Sequence, residues 1–95
     1  MIFVVAKLTL KPGQSAVLLE VWSELAEEYR KEPGCIFYTV GRSINNQNLC
    51  YAIGQWESEE DYEQHLKGPS YQRAYAYSMG FLAKAPEFER CQIDI

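Results

Sequence analysis

Three segments of this 95-residue chain read as β-strands and carry apolar side chains on both of their alternating faces. Ile2 to Leu10 is β-branched or apolar at nearly every position, with Lys7 and Thr9 as the exceptions, the pattern of a strand covered on both sides or nearly so. Cys35 to Ser43 and Leu49 to Glu57 read as a second and third strand. In the third, Leu49, Tyr51 and Ile53 fall on one side and Cys50, Ala52 and Trp56 on the other. A sheet with helices on one face only would leave one of these sets in water. A single chain of this length lacks the elements to cover both, so the pattern demands a second sheet from a partner copy.

The remaining segments supply the helices. Lys11-Pro12-Gly13-Gln14 breaks the first strand. From Ser15 to Lys31 the apolar positions Leu18, Val21, Trp22, Leu25, Ala26 and Tyr29 recur at helical spacing, with Glu20, Glu24, Glu27, Glu28 and Arg30 on the other side. Arg30-Lys31 suits the negative end of a helix dipole, and Pro33-Gly34 ends the helix. Ile44 to Asn48 is a polar hairpin loop between the second and third strands. Ser58 is an expected N-cap, with Asp61 three residues later and acids in the first turn. That helix runs to Lys67 and breaks at Gly68-Pro69; Ser70 is then expected to cap a further segment bearing Tyr71, Ala74, Tyr75, Ser78, Phe81 and Leu82. Pro86 to Ile95 is the last strand. The order β-α-β-β-α-β predicts an α+β, ferredoxin-like domain with an antiparallel sheet, residues 1–95 forming one domain.

Composition narrows the partners. The chain is 47% hydrophobic and 14% aromatic, with seven Tyr and two Trp, rich for a small solitary domain. Such an excess belongs in a ligand pocket or a subunit interface, both of which favour aromatics. A net charge of -4 and nine scattered Lys and Arg lack the basic stripe of a nucleic-acid binder. The start of the chain has neither the basic region nor the long apolar run of a signal peptide. No stretch approaches the roughly 20 apolar residues that cross a bilayer. Cys35, Cys50 and Cys91 are an odd number without metal-ligand spacing and read as reduced thiols, so a cytoplasmic location is expected. The acids Glu57, Glu59, Glu60, Asp61 and Glu63 are explained by the helix dipole, and no metal is expected.

Several local patterns coincide. An apolar first strand runs into Lys11-Pro12-Gly13, and Glu32-Pro33-Gly34-Cys35 precedes the second strand. The third strand ends in Gln55-Trp56-Glu57-Ser58, with His65 nine residues after Trp56. Across its whole length the chain resembles the antibiotic biosynthesis monooxygenase family. That resemblance implies a homodimer in which two sheets face each other as an α+β barrel. It also implies a pocket between each sheet and its own helices, where members bind aromatic substrates. Monooxygenase members use neither flavin nor metal: a phenolic or enolic substrate loses a proton, and its anion reduces dioxygen. In haem-degrading relatives an Asn on the first strand and a His on the second helix fall near Ala6 and Tyr75 here, which disfavours haem chemistry. Where many members carry a His after the helix-breaking Pro, this chain reads Pro69-Ser70-Tyr71.

His65, the only histidine, is the one side chain whose ordinary pKa lies near neutrality. Three residues after Tyr62 and next to Leu66, it belongs at the edge of the buried helix face. It is a candidate base or substrate partner, or else a tie between its helix and the sheet. Trp56 is a candidate pocket wall, with plain core packing as the alternative. Tyr71 is the third candidate catalytic group. Tyr38, Tyr51 and Tyr75 are candidate substrate-binding phenols, at least two of these four tyrosines being core or interface. Arg42 is a better cation for a developing oxyanion than Arg73. Three functions follow as expectations: a cofactor-independent monooxygenase of a small aromatic, phenolic or quinol-like compound, an isomerase of a small enolisable carbonyl compound, or a non-catalytic dimer that binds a small aromatic ligand.

Overall fold

The computed structural model describes residues 1–95. Its elements run β1 (Ile2–Thr9), α1 (Ser15–Arg30), β2 (Cys35–Arg42), β3 (Leu49–Trp56), α2 (Glu59–Lys67), α3 (Pro69–Met79) and β4 (Glu87–Gln92). The strands form one sheet in the order β2-β3-β1-β4, with every neighbouring pair antiparallel. This is the ferredoxin-like α+β fold that the order of strand-like and helix-like segments predicted.

β1 shows why the sheet has one inside. Ile2, Val4, Ala6 and Leu8 are buried, and the residues between them are only half-buried. The same alternation in β3 buries Cys50, Ala52, Gly54 and Trp56. Leu18, Trp22, Ala26 and Tyr29 of α1 and Ala74 of α3 pack against this face, and Tyr62 of α2 joins Ile2, Val4 and Trp56 in a smaller cluster. The opposite face carries Phe3 and Val5 of β1, Tyr51 and Ile53 of β3 and Phe37 of β2, and none of these is fully buried. The three helices therefore cover one face only. No helix is long and apolar enough to cross a membrane.

Helix ends follow their chemistry. The Ser58 hydroxyl accepts a hydrogen bond from the Asp61 amide at 3.1 Å, and Glu59, Glu60 and Asp61 sit in the positive first turn of α2. Arg30, in the last turn of α1, donates from Nε to the Tyr38 carbonyl at 2.9 Å and ties that helix to β2. The expected cap at Ser70 is corrected. Gly68, in an extended conformation, precedes α3, Pro69 occupies its first turn, and Ser70 lies inside. Proline pre-sets the helical φ and holds the residue before it extended, so the break falls at Gly68. β4 is also shorter than Pro86 to Ile95, ending at Gln92.

Two glycines take positive φ, Gly13 at 78° and Gly34 at 80°. Gly34 connects α1 to β2, and its carbonyl accepts from the Glu57 amide at 2.8 Å. A Cβ on Gly34 would collide with the Asp61 side chain, whereas one on Gly13 meets open space. Gly13→Ala should cost about 1 kcal/mol, the strain of left-handed backbone alone. Gly34→Ala should cost about 2–3 kcal/mol, because displacing Asp61 also disturbs the α2 cap. Urea denaturation of both variants checks this ordering; an equal or smaller loss for Gly34→Ala would contradict it.

Candidate active site

Between the sheet and the helices the two central strands carry small residues. Ala6 and Ala52 face each other across β1 and β3, and Gly54 lies between Val4 and Tyr38. A Cβ on Gly54 would come within 3.0 Å of both Trp56 Nε1 and Tyr38 Cδ2, so only glycine lets the two rings settle this low over the sheet. Large rings surround the small floor: Trp22 and Tyr29 from α1, Tyr62 from α2, and Tyr71 and Tyr75 from α3. The result is a narrow, mainly apolar cavity. About 50 Å³ is open to the centres of water-sized molecules, within about 590 Å³ of atom-free space that includes the mouth. Tyr75, Met79 and Phe88 line the cavity yet are 43–44% exposed, which places the mouth between α3 and β4.

His65 sits in this aromatic ring, 5% exposed. Its imidazole lies 4.6 Å from Trp56, centroid to centroid, with edge contacts to Tyr29 at 4.5 Å and Tyr71 at 5.1 Å. Nδ1 is 2.8 Å from Glu32 Oε1. An ionised carboxylate can only accept, so Nδ1 carries the proton of a neutral ring and Nε2 carries the lone pair. The ring also borders a second space, a polar cleft formed by Glu32, Asp61, Gln64 and Ser70 among others. His65 is thus a partition, with Glu32 in the cleft on one side and the aromatic cavity on the other.

Burial and charge set the proton affinities. Burial holds His65 below the ordinary imidazole value, while the Glu32 hydrogen bond and charge oppose that shift without cancelling it. Burial raises the phenols: Tyr62 to about 12, with Tyr71 adding to the effect, and Tyr71 itself upward with help from Tyr75. Tyr29 and Tyr38 rise further, burial again the leading cause. At neutral pH these phenols are therefore protonated hydrogen-bond donors. Only His65, among the cavity side chains, can exchange a proton there.

Five of the seven residues singled out in the sequence meet at this cavity: His65, Trp56, Tyr71, Tyr38 and Tyr75. Two do not. Tyr51 projects from β3 between Cys50 and Ala52, both buried on the helix side, so strand alternation turns it to the other face. Arg42 lies at the hairpin end of β2 opposite Cys50, exposed and away from the cavity lining. The reading of the sequence missed Glu32, Tyr29, Trp22 and Tyr62. Tyr29 and Trp22 were visible as one apolar stripe of α1, with nothing to tell stripe from cavity wall. Trp22 Nε1 donates to the buried Ser78 hydroxyl at 2.8 Å, a pairing across 56 residues that no local pattern announces.

The model of a known family, antibiotic biosynthesis monooxygenase, matches residues 1–77, which span everything from β1 through most of α3. The chain belongs to this family. Among solved structures it is similar to a conserved protein from Methanosarcina mazei, with a TM-score of 0.92 and 27% identity over 98% of this chain and 92% of that one. An antibiotic biosynthesis monooxygenase matches over the full length of both chains at a TM-score of 0.91 and 19% identity. A variant of SnoaB, a cofactor-independent oxygenase from Streptomyces nogalater, matches 97% of this chain and 91% of its own, with a TM-score of 0.85 and 18% identity. The last two likenesses concern the fold. No curated protein matches.

The direction of the His65 shift has a consequence for stability. With the folded pKa below the unfolded one, the unfolded chain binds more protons between the two values, so stability rises with pH there. Unfolding free energy measured from pH 7.5 downward should hold until about 6.5 and then fall. His65→Gln should remove that part of the decline. A decline unchanged in His65→Gln would assign it to other groups.

Proposed function

We propose that the chain oxidises a small, flat phenolic or quinol-like compound with dioxygen, without a cofactor. The observation that carries this reading is a single base, His65, set among aromatic rings in a narrow cavity where the phenols of Tyr29, Tyr38, Tyr62 and Tyr71 remain donors. A flat substrate slides between Trp56 and Tyr71, with its acidic hydroxyl toward Nε2 of His65. Nε2 takes that proton, and the electron-rich anion passes electrons to dioxygen. For a methylene carbon conjugated to the ring, CH₂ and O₂ become C=O and H₂O, so one oxygen atom enters the product and the other leaves as water. The phenols of Tyr71, Tyr38 and Tyr75 and the indole N–H of Trp56 are donors for the developing oxygen anions. Family membership supports monooxygenase chemistry, and the lining supports an aromatic substrate.

An oxygen electrode with a panel of quinols, naphthols and anthrones tests this. Uptake is expected with at least one, and His65→Ala should slow it about 10²- to 10⁴-fold. Turnover that persists without oxygen would move the assignment to an isomerase acting on an enolisable carbonyl compound. Absence of turnover in both settings, with a bound aromatic ligand, would leave a binding protein.

The same proposal includes a homodimer built through the open sheet face. Phe37 is 48% exposed and Ile53 37%, on a face that also carries Phe3, Val5 and Tyr51, with Lys7, Thr39 and Gln55 among them. A mainly apolar sheet face left uncovered supports an association site. Tyr51 belongs, in this reading, to the interface. Light scattering should give twice the 11.0 kDa chain mass, and Ile53→Lys should shift the population toward monomer. A wild-type mass near that of one chain at all concentrations would rule the assembly out.

A further inference from the structure

Glu32 lies in the short turn between α1 and β2, outside the cavity, and the sequence marks it only as part of the Glu32-Pro33-Gly34-Cys35 motif, with no role at a site. Its Oε1 nevertheless meets Nδ1 of His65 at 2.8 Å, although 33 residues separate the two. The imidazole side chain is 3% exposed and the Glu32 side chain 25%, so the carboxylate is partly solvated at the cleft while the ring it holds is buried. We infer that Glu32 is the positioning residue for His65: it fixes the proton on Nδ1, leaves Nε2 as the acceptor, and stabilises the imidazolium formed when Nε2 takes a proton. The inference rests on the oxidation reading for its catalytic consequence, and on geometry alone for its statement about the ring.

Three features support a built device over an incidental contact. A carboxylate makes the Nδ1–H form of the neutral ring the favoured one, because the other form would set a lone pair against an anion. The groups facing His65 are Tyr29 from α1, Tyr62 from its own helix, Tyr71 from α3, Trp56 from β3, and the two acids of the cleft, Glu32 and Asp61. Burial keeps the three phenols neutral, and the Asp61 carboxylate is engaged by the Ser58 hydroxyl at 3.0 Å. Glu32 is therefore the one anion bonded to the ring. Finally, the backbone that carries Glu32 is fixed. It sits between the C-terminal turn of α1, where its amide donates to the Tyr29 carbonyl at 3.0 Å, and Pro33-Gly34, where Gly34 takes its left-handed φ.

Two readouts test the inference. In the first, nitrogen-15 NMR of the imidazole should find the proton on Nδ1 in the wild type. Glu32→Gln should lower the His65 pKa by about one unit, since an adjacent opposite charge is lost, and Glu32→Asp should restore part of it. In the second, with anthrone as probe, Glu32→Gln should lower kcat about 10²-fold while KM stays within about threefold, and should move the acid limb of the pH profile to lower pH. A merely structural tie would lower stability and leave that limb where it was, which would overturn the catalytic role. A proton found on Nε2 in the wild type, or an unchanged His65 pKa in Glu32→Gln, would overturn the inference outright. If the wild type oxidises none of the probes, the oxidation reading fails by itself, and the NMR result still decides whether Glu32 governs the ring.

Discussion

The site depends on a mismatch of side-chain size across the sheet–helix boundary. Ala6, Ala52 and Gly54 lie on the two central strands, where a close-packed core would place branched aliphatics. Three of the rings above them are kept from collapsing into the space by partners of their own. Trp22 is pinned to Ser78 by its indole hydrogen bond, Tyr29 meets Tyr38 edge-on at 4.9 Å, and His65 is tethered to Glu32. Interdigitated rings with fixed partners span the gap as an arch does, and the space below stays open. The cavity is thus a consequence of residue volumes on β1 and β3 together with three side-chain anchors.

The same arrangement governs the chemistry. Removing water from the ring environment penalises charge, which raises the phenols of Tyr29, Tyr38, Tyr62 and Tyr71 and lowers His65. Burial alone would make His65 a very weak base. The carboxylate at its back opposes that effect and leaves a base that is neutral at physiological pH yet has a counter-ion ready when it accepts a proton. Glu32 accomplishes this from a partly solvated position, so its own charge is not buried at full penalty. Setting the anion at the protein–water boundary and the ring inside divides the electrostatic work between two dielectric environments.

What the sequence disclosed follows from which of these constraints are local. Strand alternation in Ile2 to Leu10 and in Leu49 to Trp56, and the 3.6-residue stripe of α1, are short-range patterns, and both survived into the fold. Trp56 and His65 stood out because they are rare residue types at a recognisable spacing. Tyr51 and Tyr38 could not be sorted by identity. They are sorted by register: alternation along β3 turns Tyr51 to the open face, while the bulge between Cys35 and Phe37 decides that Tyr38 of β2 turns inward. Glu32 is the instructive miss. In the sequence it is one more acid before a Pro-Gly turn. Its role arises only when α2 folds back across the end of α1 and brings His65 within hydrogen-bonding distance, a relation of tertiary structure with no periodic trace.

A cavity on one face of a four-stranded sheet also bears on the other face. Floor residues and open-face residues alternate along the same strands, so Ala6 is flanked by Val5 and Lys7, and Ala52 by Tyr51 and Ile53. Small side chains on the helix side contribute little burial energy, while covering a Phe, Val or Ile fully is worth about 1.5–3 kcal/mol. Native domains are stable by only about 5–15 kcal/mol in total. Phe37 and Ile53 are 48% and 37% exposed and Phe3 and Val5 less, so covering all four would add roughly 2–5 kcal/mol, a sizeable share of that margin. The open cavity and the uncovered outer face are in this sense one design problem: a sheet relieved of dense packing beneath its helices gains the most from a second sheet on its other side. The proposed assembly would hold rigid, from behind, the same strands that form the floor beneath Trp56 and His65.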